Sequence, residues 1–233
     1  MQGIRFHRFG PPGEVLQLED LPLPEPGPGQ VRLRLTHRPI NPSDLLSISG
    51  DYGRLPRLPA TPGLEGVGRV DAVGAGMTGW QPGARAIPLG ASGTWSEYIL
   101  ADAARLLPVP ETVSDETAAQ FVVNPVTAWV MLEDELGLQP GDWVLQTAAG
   151  STLGRVVIQL ARLRGYRTVN LVRRREQVDE LLALGADAVF ATDEAGVVER
   201  VRELTGGRGV TGALEAVGGE PAALYLRRRR PAG

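Results

Sequence analysis

The chain has 233 residues, of which 42% are hydrophobic and 22% charged, enough to bury a core in one or two domains. Its formal net charge of −3 argues against a nucleic-acid partner or an anionic membrane surface. It has no Cys and no Lys, which excludes disulfides, Cys-ligated zinc, Schiff-base lysines and P-loop ATPases. With only two His, His7 and His37, an all-His metal site is not expected. Neither a signal peptide nor a membrane span is predicted, so we expect a soluble, cytoplasmic protein.

The first half, up to about residue 120, alternates short β-rich pieces with turns rich in Pro and Gly. The polar–apolar alternation and the turn signals predict strands over 31–35, 67–73, 84–88 and 94–100. Several short strands at this spacing favour a small barrel or sandwich.

The second half alternates helices with apolar strands. A helix is predicted over 115–137, broken at Pro125. After it, strands are predicted over 143–147, 168–172, 188–190 and 212–217, separated by helices over 153–164, 175–184 and 194–204. This series predicts a parallel sheet with right-handed crossovers, hence an α/β fold. The chain therefore divides into domains over 1–119 and 120–233.

The first candidate site is the turn that follows strand 143–147. Dinucleotide folds need small residues there, and the phosphates lie on the free N–H groups of the helix start. The candidate cofactor residues are Gly150, Ser151, Thr152, Leu153 and Gly154. In a G-x-G-x-x-G register only Gly154 remains a glycine, so the pattern alone is equally compatible with a plain tight turn.

The second candidate site is the run Arg173, Arg174 and Arg175 after strand 168–172. NAD enzymes carry an acidic residue at this place for the ribose 2′-hydroxyl, whereas guanidinium groups suit a 2′-phosphate. Three cations at a helix start oppose the helix dipole, so we favour NADPH over the alternative of a solvated helix start.

Further motifs occur in a fixed order along the chain. They are Asn41-Pro42-Ser43-Asp44, Gly50-Asp51-Tyr52-Gly53, Pro62-Gly63-Leu64-Glu65-Gly66, Gly93-Thr94-Trp95, Val123-Asn124-Pro125-Val126-Thr127-Ala128 and Leu138-Gln139-Pro140-Gly141-Asp142. In order and spacing the chain resembles the medium-chain dehydrogenase/reductase superfamily, and within it the zinc-free trans-2-enoyl thioester reductases of the mitochondrial type. The similarity runs from about residue 4 to Gly219. It implies an N-terminal GroES-like β-rich domain and a Rossmann domain with a doubly wound parallel sheet, whose four predicted strands would lie in the order 3-2-1-4.

The resemblance also implies site residues. The zinc alcohol dehydrogenases of this superfamily have zinc ligands where this chain has Asn41 and Leu64, so no metal is expected. Tyr52 matches the catalytic acid of the enoyl reductases, and a phenol suits that role because it donates a proton without being charged beforehand. A surface tyrosine is the alternative. Asn124 matches a cofactor position, with its backbone held extended before Pro125 and a helix-capping role as the alternative.

The implied activity is NADPH-dependent reduction of the C=C bond of a trans-2-enoyl thioester in fatty acid metabolism, with hydride added at Cβ and a proton at Cα. Two alternatives remain open: an NADPH:quinone oxidoreductase, and an inactive NADPH-binding fragment or sensor. The expected partner is thus a small acyl thioester or a quinone. Trp95 is expected in the core or as an acyl-channel wall, and Glu65 as a buried acid of unassigned role.

The family pattern stops after the fourth strand of the Rossmann domain, which is therefore expected to be partial. Relatives continue with two more strands that form the family's usual homodimer edge, which puts that dimer in doubt for this chain. A fragment, a reading-frame change and a natural short variant are equally compatible. The exposed fourth strand, 212–217, predicts lowered stability and self-association.

Overall fold

The computed structural model of the chain describes residues 1–218. They divide into two compact units, the first comprising residues 1–123 and the second beginning at Asn124. The expected second domain, 120–233, therefore extends beyond the described residues.

The first unit contains a five-stranded antiparallel sheet and a small hairpin. The hairpin pairs β1 (Gln2–Arg5) with β2 (Gln17–Asp20) around the short helix α1 (Pro12–Val15). The sheet comprises β3 (Gln30–His37), β4 (Val67–Val73), β5 (Arg85–Pro88), β6 (Tyr98–Asp102) and β7 (Leu106–Pro108), in the order β6-β3-β4-β5-β7. Helices α2 (Pro42–Ser49) and α3 (Asp115–Ala119) complete the unit, with a 3₁₀ turn at Ala103–Arg105.

The core of the first unit follows from the period-two pattern of β3. Val31, Leu33 and Leu35 are buried, and the residues between them face outward or lie at intermediate exposure. Of the predicted strands, 94–100 is displaced to β6, because the N–H groups of Thr94 and Trp95 bond back to the carbonyls of residues 63 and 62 instead of a ladder.

The second unit is built on a parallel sheet. Helix α4 (Val123–Trp129) continues as a π-helix over Val130–Glu135, and then strands alternate with helices: β8 (Trp143–Gln146), α5 (Thr152–Arg164), β9 (Arg167–Val172), α6 (Gln177–Leu184), β10 (Ala188–Ala191), α7 (Val197–Leu204) and β11 (Gly212–Leu214). The strand order β10-β9-β8-β11 is the expected doubly wound arrangement. Every residue of β8 and β10 is buried, since helices cover both faces of such a sheet.

The helix predicted over 115–137 is interrupted, but not at Pro125. The break lies at residues 120–122, between α3 and α4, and Pro125 is the third residue of α4. Proline is tolerated in the first turn of a helix because its missing N–H would have no partner there. The position of the predicted break was therefore wrong.

Two features are absent from residues 1–218. No helix in this range is long and apolar enough to cross a membrane. Nor does the same range hold a group of three or more His, Cys, Asp or Glu side chains arranged to bind a metal ion.

An ion pair fastens α3 to the sheet of the first unit. The Arg85 guanidinium donates to Asp115 at 2.8 Å through Nε, and to the Val113 carbonyl at 2.7 Å. Burial opposes ionisation of Asp115, but the hydrogen bonds and positive charge of Arg85 hold the pKa of this carboxyl below its usual value.

We expect Asp115→Asn to lower the free energy of unfolding most at neutral pH. Because the folded-state pKa of Asp115 is depressed, the ionised carboxyl contributes its full stabilisation above the ordinary pKa of ~4. This stabilisation is lost as the pH falls through the folded-state pKa. Urea unfolding at pH 7 and pH 3 measures this. Asp20→Asn, at an exposed position of β2, controls for the lost charge. A difference from the parent chain that stays constant between the two pH values would contradict the account.

Candidate active site

The residues predicted to form a site fall in both units. Tyr52 belongs to the first unit, whereas Asn124, the turn after β8 and the three arginines after β9 belong to the second. Each group is described within its own unit.

The turn after β8 connects the first strand of the parallel sheet to α5. Ala148 adopts the left-handed conformation, with φ 50°, which costs an alanine on the order of 1 kcal/mol. Ser151 then caps α5, since its hydroxyl oxygen accepts the Gly154 N–H at 3.1 Å. The chain thus reverses sharply and enters the helix with its first turn fixed.

Gly154 allows α5 to approach this turn closely. A Cβ at this position would lie 2.5 Å from the Ala149 carbonyl oxygen and 2.7 Å from the Ala149 Cα, distances that no side chain tolerates. A Cβ on Gly150 would instead meet the amide end of the Gln177 side chain, which is free to turn away. Of the two glycines in this turn, Gly154 is therefore the one that the packing demands.

The start of α5 has the features of an anion site. No residue in the described range accepts a hydrogen bond from the N–H groups of Thr152 and Leu153, the first two residues of this 13-residue helix. Ser151 and Thr152 are exposed, so an anion can reach these donors. Free N–H groups and the positive end of the helix dipole together favour a phosphate.

The three arginines lie at the same edge of the sheet as this turn. Strands β8 and β9 pair with Gln146 opposite Asn170, and the Ala149 N–H donates to the Leu171 carbonyl at 3.1 Å. All three arginine side chains are exposed. Arg175 bonds Asp193 at 3.2 Å, an exposed pair that contributes little to stability. Within residues 1–218, the side chains of Arg173 and Arg174 form no hydrogen bond, so both are available beside the turn.

The three arginines were expected at a helix start, where their charges would oppose the helix dipole, and this expectation was wrong. Helix α6 begins at Gln177 and not at Arg175, so the arginines occupy the loop before it. Asp179 and Glu180 lie in the first turn and complement the dipole of α6. The case for a phosphate at the arginines therefore rests on their exposure and their neighbourhood to the α5 start.

Arg155 is a residue that the sequence did not reveal. It donates to the Gly150 carbonyl at 3.2 Å through Nε and forms a two-pronged ion pair with Glu180 at 2.6 and 2.9 Å. This pairing holds the pKa of Glu180 below its ordinary value. Arg155 thereby ties the turn to α6, a contact that only the packing of α5 against α6 creates.

Asn124 is the second residue of α4 and is partly buried. Its backbone is helical, so the expected extended conformation before Pro125 was wrong. The reason is again the position of this proline in the first turn, where no backbone hydrogen bond is lost.

Tyr52 lies in the loop after α2 of the first unit. That helix ends at Gly50, whose φ of 91° suits glycine alone, and the Asp51 N–H closes the turn onto the Leu46 carbonyl at 2.9 Å. Tyr52 is 42% exposed, so a ligand can reach this residue.

Three polar side chains, those of Asn41, Asp44 and Glu65, are buried together in the first unit. The Asn41 amide donates to Glu65 at 2.9 Å, and the other oxygen of Glu65 accepts the Val122 and Val123 N–H groups at 3.2 and 2.8 Å. Asp44 accepts the Asn41 backbone N–H at 2.8 Å, and burial raises the pKa of this carboxyl. Glu65 is thus the expected buried acid, and it is held by hydrogen bonds from within the first unit.

Trp95 is partly buried against the core of the first unit, as one of its two expected roles requires. It packs beside the buried cluster of Phe6 and Ile48, and its indole N–H donates to the Pro39 carbonyl at 3.3 Å. It also lines an open groove of the first unit, next to Leu18 and Ile40.

We expect Gly154→Ala to destabilise the second unit by about 1–3 kcal/mol, because the added methyl group must push α5 away from the Ala149 backbone. Gly150→Ala is the matched control in the same turn, and should cost much less since only the Gln177 side chain must move. Thermal and urea unfolding measure both. Equal destabilisation by the two substitutions would contradict this interpretation of the turn.

Comparison with known proteins agrees with this architecture. Residues 27–111 match the alcohol dehydrogenase GroES-like domain, and residues 152–233 match the zinc-binding dehydrogenase family. The whole chain is 38% identical to a mitochondrial enoyl-[acyl-carrier-protein] reductase of Rattus norvegicus and 40% identical to one of Arabidopsis thaliana. It spans 64% and 63% of these two relatives, slightly less than two thirds of their length.

Solved structures also resemble the chain. A putative NADPH:quinone reductase of Bacillus thuringiensis superposes on the whole chain with a TM-score of 0.93 at 40% identity, and the chain covers 70% of it. The Escherichia coli quinone oxidoreductase complexed with NADPH gives 0.88 at 28% identity, over 99% of this chain and 70% of that one. The parallel sheet, the antiparallel β-rich unit and these matches lead to one conclusion: the chain belongs to the zinc-free members of the medium-chain dehydrogenase/reductase superfamily.

Proposed function

We propose that the chain is an NADPH-dependent oxidoreductase that reduces the C=C bond of trans-2-enoyl thioesters. The observation that carries the cofactor assignment is the free, exposed start of α5 beside Arg173 and Arg174 at one edge of the sheet. The substrate class is supported by Tyr52 and by the names of the relatives most similar in sequence.

The residues present fit NADPH. The N–H groups of Thr152 and Leu153 would hold the pyrophosphate, since Gly154 lets the helix start lie close to the turn. The guanidinium groups of Arg173 and Arg174 would hold the 2′-phosphate through charge-assisted hydrogen bonds. When bound, NADPH supplies the hydride that is added at Cβ of the enoyl thioester.

Tyr52 would act on the substrate side of the reaction. As hydride arrives at Cβ, negative charge develops on the thioester oxygen and Cα takes up a proton. The Tyr52 hydroxyl can donate a hydrogen bond to that oxygen or supply the proton. Its exposure in the loop after α2 leaves the hydroxyl accessible to such a substrate.

Quinone reduction is the second candidate, favoured by two solved structures that resemble the chain, a putative NADPH:quinone reductase and a quinone oxidoreductase. Oxidation of NADPH, followed by its absorbance with crotonyl-CoA and with benzoquinone in parallel, distinguishes enoyl reduction from quinone reduction. Our proposal expects turnover with crotonyl-CoA. Turnover with the quinone alone would assign the second candidate, and NADPH binding without any turnover would assign a nucleotide-binding role instead.

We expect the double substitution Arg173→Ala with Arg174→Ala to weaken NADPH binding by about tenfold or more, and to leave NADH binding nearly unchanged. Each charge-assisted bond to the 2′-phosphate contributes roughly 1.5–3 kcal/mol, and NADH lacks this phosphate. Fluorescence titration of both nucleotides gives the dissociation constants. Arg162→Ala, an exposed arginine near the other end of α5, controls for charge. A parallel loss of NADH affinity would place the arginines elsewhere than at the 2′-phosphate.

We expect Tyr52→Phe to lower kcat for enoyl reduction by about 10²–10³-fold with little change in KM, because only the proton donor is removed and the ring stays. Steady-state kinetics with crotonyl-CoA measure this. Tyr98→Phe, in strand β6, is the control for loss of a tyrosine hydroxyl. An unchanged kcat in Tyr52→Phe would leave Tyr52 as a wall of the substrate site only.

A further inference from the structure

Two buried amide side chains lie beneath the start of α5. Gln146 in β8 and Asn170 in β9 stand opposite each other in the sheet and are 2% and 0% exposed. The Gln146 amide donates to the Asn170 side-chain oxygen at 2.7 Å and to the Gly154 carbonyl at 2.9 Å. The Asn170 amide donates to the Thr168 hydroxyl at 2.8 Å and to the Ala188 carbonyl at 2.9 Å.

This arrangement is unusual for its place in the fold. Strands of a parallel sheet that is covered on both faces are normally apolar throughout, and Val144 in β8 and Val172 in β9, each two residues from one of these amides, are buried apolar residues. Burying a primary amide is costly unless its hydrogen bonds are made. Here all four N–H donors of the two amides are used, so the pair forms a complete bridge and not a packing defect.

The bridge ends on the helix turn that carries the candidate phosphate donors. Gly154 is the third residue of α5, directly after Thr152 and Leu153, whose N–H groups point out of the helix start. Gly154 already contacts the Ala149 backbone closely, which limits how near the helix can come. The Gln146 amide holds its carbonyl from the sheet, so the first turn is fixed by a steric contact and by a hydrogen bond.

We propose that Gln146 and Asn170 are positioning residues for the pyrophosphate of the nucleotide. The inference rests on the proposed nucleotide site and adds a residue pair that does not touch the ligand. Asn170 orients Gln146, and Gln146 sets the placement of the Thr152 and Leu153 N–H groups. Because NADPH and NADH share the pyrophosphate, loss of the bridge weakens both nucleotides by the same factor. The arginines act on NADPH alone.

The test is the double substitution Gln146→Met with Asn170→Leu. Apolar groups of similar size replace both hydrogen-bonding partners at once, a change that is often nearly neutral for stability. We therefore expect a melting temperature close to that of the parent chain, together with dissociation constants for NADPH and NADH that both rise about tenfold. Gln159→Met, at an exposed position of α5, is the matched control and should leave both constants unchanged.

Each outcome of this test either supports or overturns the positioning role. A folded double variant with parental affinity for both nucleotides overturns the positioning role, and so does a loss confined to NADPH. If the double variant does not fold, Gln146→Met alone keeps Asn170 with its bonds to Thr168 and Ala188, and the same two constants are compared. A parent chain that binds neither nucleotide overturns the proposed function, and this inference with it.

Discussion

The close contact between Gly154 and the Ala149 backbone is the constraint on which the candidate nucleotide site depends. With no side chain at residue 154, the first turn of α5 lies against the turn that follows β8. Ser151 caps the helix there, Arg155 ties the turn to α6, and Gln146 holds the Gly154 carbonyl from the sheet. A larger residue at position 154 would break these contacts and displace the free N–H groups of Thr152 and Leu153 at the start of α5.

The parallel register then brings the second part of the site beside the first. Because β8 and β9 are neighbours and run in the same direction, their carboxyl ends open onto one edge. The α5 start supplies N–H donors there, and the loop after β9 supplies guanidinium groups. A nucleotide with a pyrophosphate and a 2′-phosphate needs donors of these two kinds, which links the fold of the second unit to the cofactor we propose.

The sequence was sufficient for the elements with a clear period and for the family. The alternation in β3 and the strand–helix series of the second unit were of this kind, whereas the roles of the motif residues and of the arginine run stay predictions. Helix α2 was not predicted because it is short and starts at a proline. The helix break was wrongly predicted at Pro125 because the effect of a proline depends on its place within the helix. Gln146 and Asn170 gave no signal, since a polar residue in a strand is ordinary until its burial is known.

The most direct measurement of the central claim is a titration of the ¹⁵N-labelled chain with NADPH, followed by amide and arginine side-chain resonances. The account predicts that the largest changes occur at the Thr152 and Leu153 N–H groups and at the guanidinium groups of Arg173 and Arg174, with NADH reproducing only the first set. Saturable binding that leaves the start of α5 unperturbed would contradict it.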